Sequence, residues 1–417
     1  MSTSTKLDAI LKDVADGAAL PLERAVTLPR ETYIDEDFFA FERDNIFKKD
    51  WMCFAHVSQL KTPGSFVAID LFDEPLVVVR GHDDQIRVLS RVCAHRAMDI
   101  MPDDPSFPRE GETRLLVCPY HKWSYDLDGS LRGCSQMHKA EGFEKKDWRL
   151  SEFRSEVWNG FVFVNFDGQA KPLAAQYEEF NRLIAPWNVA EMELAIEFEW
   201  ECEFNWKVMV ENWMESYHHI GTHATTLNPS MPGELTWADA ERPYFIRAHL
   251  PYTDKLRAEL KESASGEGPK VPGFRAIKGL SEDQANEWGL YLGFPCFMFL
   301  TTHDRAIWYR LLPISAGRCK LLTTTLVAPS AKEDPDYEKA LVSEGEMLRN
   351  FHSEDMVVNA AVQNGLKSSR AVRGRLSHLE EPVWLIQRYL AARAAGRYPE
   401  KANRAPYHGP QAMQAAE

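Results

Sequence analysis

Cys93-Ala-His95 and Cys118-Pro-Tyr-His121-Lys-Trp-Ser-Tyr-Asp-Leu-Asp-Gly129 decide the reading of this chain. Each stretch opens with a cysteine and reaches a histidine within two or three positions. Together they supply two thiolates and two imidazoles from two short loops. A structural zinc ion takes such a donor set. So does a two-iron cluster in which two imidazoles replace two thiolates on one iron, which raises the reduction potential. The order Cys, His, Cys, His suits a cluster with one thiolate iron and one imidazole iron. The surroundings are strand-rich and lack a zinc-finger pattern.

Working outward, Phe66-Val-Ala-Ile-Asp-Leu, Pro75-Leu-Val-Val-Val-Arg and Gln85-Ile-Arg-Val-Leu-Ser read as short strands separated by Gly and Asp turns. Further strands are expected at 114–118, 123–125 and 158–165. Both ligand pairs therefore lie in the loops of a small all-β domain, residues 49–168. Residues 1–30 read as a loosely packed arm, and 35–51 as a helix. Together, residues 1–48 are assigned as an arm and helix associated with a second domain, 169–417. In that domain 171–190 reads as helical, 194–204 as a strand, 205–217 as a helix, 293–327 as β-rich, and 333–361 and 382–394 as helices. Phe294–Leu300 reads as a buried strand. Ser263-Ala-Ser-Gly-Glu-Gly-Pro-Lys has the composition of a mobile loop that could cover a pocket. The tail after Pro399 reads as poorly ordered. The expected fold class is α+β: an N-terminal all-β domain and a helix-flanked antiparallel sheet.

The second domain carries Glu215, His218, His223 and, far downstream, Asp355. Two histidines and one carboxylate form the facial triad of non-haem Fe(II) oxygenases. A separation of five puts His218 and His223 about 140° apart on an ideal helix. Both can grip one ion only if the helix breaks, and Gly221 offers the backbone freedom. His219 is the rival ligand, with packing or a supporting hydrogen bond as the plainer role. Glu354 reads as a solvated helical acid. An electron-transfer centre and an oxygen-activating iron on one chain imply an enzyme that delivers electrons to O2.

Composition narrows the alternatives. The 417 residues include 48 Lys and Arg against 62 Asp and Glu, a net charge of −14 that disfavours nucleic-acid binding. No apolar run reaches the roughly 18 residues of a spanning helix. The first 20 residues lack a signal-peptide core. Seven scattered cysteines do not form a disulfide framework. A cytoplasmic enzyme is expected, with Cys53, Cys134, Cys202, Cys296 and Cys319 as ordinary residues.

The motif Cys93-Ala-His95-Arg96 with Cys118 to Gly129 resembles the Rieske motif of aromatic-ring-hydroxylating oxygenases, in their terminal alpha subunits. Asn205-Trp-Lys-Val-Met-Val-Glu-Asn-Trp-Met-Glu-Ser-Tyr-His-His-Ile-Gly-Thr-His223 resembles the mononuclear-iron motif of the same family. The segment from Asp355 through Gln363 to Gly365 resembles its C-terminal ligand helix. The likeness extends from about Tyr33 to Leu390. It implies one Rieske [2Fe-2S] cluster held by Cys93, His95, Cys118 and His121, and one Fe(II) held by His218, His223 and Asp355. It also gives Glu215 the task of bridging His218 to His121 of a neighbouring subunit in a head-to-tail homotrimer. Glu211 and Asn212 also match. Two departures stand out. The 22 residues between His95 and Cys118 include extra length at 103–111. Ala97 and Lys122 occupy positions usually filled by glycine.

The resemblance implies a terminal mono- or dioxygenase that hydroxylates, dihydroxylates or oxidatively dealkylates a small organic substrate with O2. Electrons would come from NAD(P)H through a partner reductase, with or without a ferredoxin, since no dinucleotide fingerprint is present. Trp206, Trp213, Phe294, Phe297, Phe299 and Trp308 are aromatic candidates for a pocket. The reading favours an aromatic or cyclic substrate, in aromatic hydrocarbon catabolism. A quaternary ammonium compound held in an aromatic cage is the alternative. A small beta subunit is a lesser option than a trimer of this chain alone. A non-catalytic Rieske carrier would not need His218, His223 and Asp355.

Overall fold

The computed structural model describes residues 3–400. The chain divides into two compact units, one formed by Lys48–Ala174 and one by the segments before and after it. Among the described residues, no helix is long and apolar enough to cross a membrane.

The inserted unit is built from β1 (Met52–His56), β2 (Ser65–Leu71), β3 (Glu74–Arg80), β4 (Ile86–Ser90), β5 (Glu110–Glu112), β6 (Leu116–Val117), β7 (Ser124–Tyr125), β8 (Leu131–Gly133), β9 (Glu152–Trp158) and β10 (Phe161–Asn165). Seven of them form an antiparallel sheet in the order β1-β10-β9-β4-β3-β2-β5, and β6-β7-β8 form a small second sheet. Val77, Val78 and Val79 on β3 are wholly buried, as β-branched residues in a central strand should be. The stretch 158–165 is two strands rather than one. Asn159 and Gly160 both have positive φ and turn Trp158 back against Phe161. This is the two-residue hairpin that an Asn-Gly pair favours. The extra length at 103–111 runs into β5, which pairs with β2.

The larger unit carries β11 (Glu193–Cys202), β12 (Trp237–Ala238), β13 (Phe245–Pro251), β14 (Glu287–Gly293), β15 (Phe297–Thr301), β16 (Ala306–Ser315) and β17 (Arg318–Val327). They form one antiparallel sheet in the order β11-β17-β16-β15-β14-β13-β12. Every residue of β14 and β15 is buried, so these strands read as apolar runs rather than alternating ones. β15 begins only at Phe297. Phe294 and the cis-Pro295 lie in the turn, where Phe294 stacks on Tyr389. The principal helices are Trp206–Met214, Tyr337–Leu366 and Glu381–Ala394.

Three expectations need correction. The N-terminal arm is not loosely packed. Thr3–Ala18 is a helix whose Ile10, Val14 and Ala18 recur at four-residue spacing and are buried. It packs against the helix Glu381–Ala394, and Trp384 donates its indole N–H to Leu20 O. The segment 263–270 begins as helix: Asp254–Ser265 is capped by Thr253 and stopped by Gly266 at φ +77. Lys270 then pairs with Asp336. The helix expected over 205–217 ends at Met214. The tail after Pro399 lies, from residue 401 onward, outside the described residues.

Candidate metal centres

The two Cys–His loops have one shape. Cys93 N–H donates to Met98 O and Cys118 N–H to Trp123 O, each at 2.8 Å. Ala97 N–H returns to Cys93 O at 3.0 Å, and Lys122 N–H to Cys118 O at 3.1 Å. The residue that closes each turn has a left-handed backbone: Ala97 at φ +53 and Lys122 at φ +58. Glycine adopts that conformation without the cost a Cβ imposes. The loops thus show the physical reason for the two glycine positions that this chain fills otherwise.

Both thiols are buried. Tyr125 O–H lies 3.1 Å from Cys93 Sγ and accepts the Ala94 N–H at 3.1 Å. The imidazoles of His95 and His121 stand edge to face with centroids 4.7 Å apart, and Trp123 stacks on His95. The Nδ1 atoms of both histidines are buried and have no hydrogen-bond partner among the described residues. Buried imidazole nitrogens normally find one. Two orphaned Nδ1 atoms beside two buried thiols are the donor set a mixed-ligand [2Fe-2S] cluster requires.

The second centre is assembled where the helix Trp206–Met214 stops. Glu215 is extended, with φ −117, and a single 3-10 turn, Tyr217–Ile220, follows. Gly221 keeps a negative φ of −102, so the end of the helix, not glycine, lets the two histidines converge. The sequence reading assigned that freedom to the wrong residue. Ligating atoms of His218, His223 and Asp355 lie within 4.8 Å of one another. Asp355 Oδ1 is 3.1 Å from His223 Nε2 and 3.6 Å from His218 Nε2. Burial opposes charge on both His223 and Asp355. Their mutual hydrogen bond and attraction, together with Glu354 beside His223 and with His218 and His352 beside Asp355, outweigh it and hold the imidazole above and the carboxyl below their usual ranges. Three mixed N and O donors converging on one point suit a divalent iron.

The opposite edges of the histidines are also fixed. Glu215 faces His218 Nδ1 at 2.7 Å and accepts the His218 backbone N–H at 3.1 Å. Glu354 faces His223 Nδ1 at 2.6 Å and accepts the Thr226 hydroxyl at 2.7 Å. Glu354 is therefore not simply a solvated acid. Asp355 grips one edge of the His223 ring and Glu354 the other. No spacing rule exposes this, because the contact spans 131 positions. His219 is outside the convergent set: its Nδ1 faces Met231 O at 2.8 Å, and burial pushes its pKa down to about 4.

Asp355, Asn359 and Gln363 lie at four-residue spacing on the helix Tyr337–Leu366 and share a face. Asn212 donates to Asp355 Oδ1 at 3.3 Å, and Asn359 donates to Asn212 Oδ1 at 3.2 Å. Gln363 accepts the Asn205 N–H at 3.1 Å and donates to Tyr33 O at 3.1 Å. Tyr33 donates its hydroxyl to Glu211, which burial raises to about 7. Of the aromatic candidates, Trp206 donates to buried Glu42 and packs on Phe47. Trp213 stands against Tyr309. Phe351, which the sequence did not single out, is 6.2 Å from the His223 ring and equally far from Trp288.

Residues 50–148 match the Rieske [2Fe-2S] domain, and 189–396 match the ring hydroxylating alpha subunit catalytic domain. The carnitine monooxygenase oxygenase subunit of Acinetobacter pittii (strain PHEA-2) is 34% identical over 380 residues, covering 88% of this chain and 92% of that protein. Choline monooxygenase from Arabidopsis thaliana is 25% identical, covering 87% and 82%. A quaternary ammonium Rieske monooxygenase crystal structure superposes with a TM-score of 0.75 at 25% identity, over 91% of this chain and 98% of its own. A Rhodococcus naphthalene 1,2-dioxygenase, at 17% identity and a TM-score of 0.74, covering 96% and 100%, shares the fold. The chain belongs to the Rieske-domain, ring-hydroxylating-type oxygenase alpha subunits.

Proposed function

We propose that this oxygenase acts on a quaternary ammonium compound. The carrying observation is the 34% identity, across nearly all of both chains, to an oxygenase subunit named for carnitine. Relatives named for choline and glycine betaine support the same substrate class. This was the alternative in the sequence reading, and it has more support than an aromatic hydrocarbon.

In this reading Cys93 and Cys118 hold one iron of the cluster, and His95 and His121 hold the other. His218, His223 and Asp355 hold the mononuclear Fe(II). When bound, these groups supply one-electron transfer and a centre for reducing O2. The protein's own part is orientation. Glu215 and Glu354 fix the two imidazoles, and Asn212 holds the carboxylate. Glu215 would also reach His121 of a neighbouring copy, which makes a homotrimer the expected active form. Electrons would enter from NAD(P)H through a reductase.

The test pairs the purified iron-loaded chain with a reductase that reduces its cluster. Substrate-dependent O2 uptake is measured with carnitine, glycine betaine, choline and naphthalene, with products identified by mass spectrometry. Oxidation of one of the three ammonium compounds is expected. Oxidation of naphthalene alone would overturn the proposal. Native mass measurement on the same sample reads the trimer.

A further inference from the structure

His352 is wholly buried, and neither ring nitrogen has a hydrogen-bond partner among the described residues. It sits one helical turn before Asp355. Its neighbours are the rings of Trp200, Tyr309 and Phe351, with centroids 5.9, 5.4 and 4.2 Å away, none of which satisfies an imidazole N–H. Its Nδ1 lies 3.8 Å from Asp355 Oδ2. The two oxygens of Asp355 are thus treated differently. Oδ1 faces His218, His223 and Asn212, while Oδ2 faces His352. A separation of 3.8 Å exceeds a hydrogen bond.

We infer that His352 is a positioning residue for the mononuclear metal site, directing its Nδ1–H edge at Asp355 Oδ2 so that the carboxylate presents Oδ1 to the metal. This rests on the triad being a metal site but not on the substrate. The buried side chain of a neutral histidine has one N–H to place. Asp355 Oδ2, 3.8 Å from its Nδ1, is a carboxylate oxygen that this N–H can face. Partners behind metal ligands set ligand orientation, and losing one weakens metal binding.

The experiment uses the full-length chain with its cluster intact, stripped of mononuclear iron by mild chelation. Affinity for Co(II) is measured by equilibrium dialysis for wild type, His352→Phe and His352→Asn, with thermal midpoints recorded alongside. Phenylalanine keeps the ring volume and removes the donor. Asparagine places an amide N–H near the position of Nδ1. His352→Phe is expected to bind Co(II) about 10–100-fold more weakly, with His352→Asn recovering most of the loss. Wild-type affinity in His352→Phe would overturn the inference. So would equal weakening in both variants, which would mark a packing role. If wild type does not bind Co(II) at all, the metal-site reading fails with it, whatever the substrate test returns.

Discussion

Glu354 Oε2 lies 2.6 Å from His223 Nδ1, on the far side of the ring from Asp355. Consecutive residues on one helix thus hold both edges of one imidazole. A carboxylate behind a metal-bound histidine orients the ring and raises its basicity. Glu354→Gln is expected to lower mononuclear metal affinity about 10-fold or more. Bound iron after dialysis reads the effect, and the visible spectrum of the cluster should not change.

Asp355→Ala should abolish oxygenation while leaving the cluster spectrum intact. The carboxylate belongs to the convergent set, and no other acid within that set replaces it. Substrate-dependent O2 uptake checks the first half and visible absorption the second. Normal turnover would remove Asp355 from the site.

Glu215→Gln keeps size and some hydrogen bonding but removes the charge facing His218 Nδ1. With iron in excess both metal sites should still fill, while most product formation is lost. Single-turnover kinetics on the pre-reduced enzyme would place the loss in electron delivery. A variant that reoxidises its cluster at the wild-type rate would exclude that role.

Ala97→Gly and Lys122→Gly should each stabilise the cluster loops, by about 1 kcal/mol, because each releases a left-handed backbone from its Cβ. Slower cluster bleaching on heating is the expected sign. No change in either variant would mean that the turn is held at no cost.

Glu211 makes stability depend on pH. Unfolded, its carboxyl releases its proton near pH 4.3, about the usual glutamate value. Folded, burial keeps the proton on until about 7. Between those values the folded state binds more protons. The contribution is therefore full below the unfolded value and is lost as pH rises through about 7. Glu211→Gln should flatten that part of the stability profile, measured as denaturation midpoints from pH 5 to pH 8.

What the sequence displayed was local: short spacings, strand runs and turn residues. The α+β class, the strands near 66–71, 75–80 and 85–90 and the convergence of His218, His223 and Asp355 were readable from motifs, whereas β1 (Met52–His56) and β9 (Glu152–Trp158) were not read. The misses were non-local. Glu354 is one position from Asp355, yet its partner lies 131 residues away. His352 is an unremarkable helical histidine until the rings around it are known. The amphipathic pattern of Thr3–Ala18 was visible, but its partner stands at the other end of the chain. The split at Asn159-Gly160 was a local signal that went unread.

The ladder from Asp355 through Asn359 to Gln363 ends on Tyr33, in the segment that precedes the inserted unit. This sets an order for synthesis on the ribosome. Residues 3–47 emerge before the inserted unit, with Ile10, Val14 and Phe39 ready to be buried. Their partners in Tyr337–Leu366 and Glu381–Ala394 emerge after it. Meanwhile Lys48–Ala174 can close around its own core. The helix Thr3–Ala18 must therefore wait, with its apolar face uncovered, until Glu381–Ala394 has been made. Interruption before that point would strand that face.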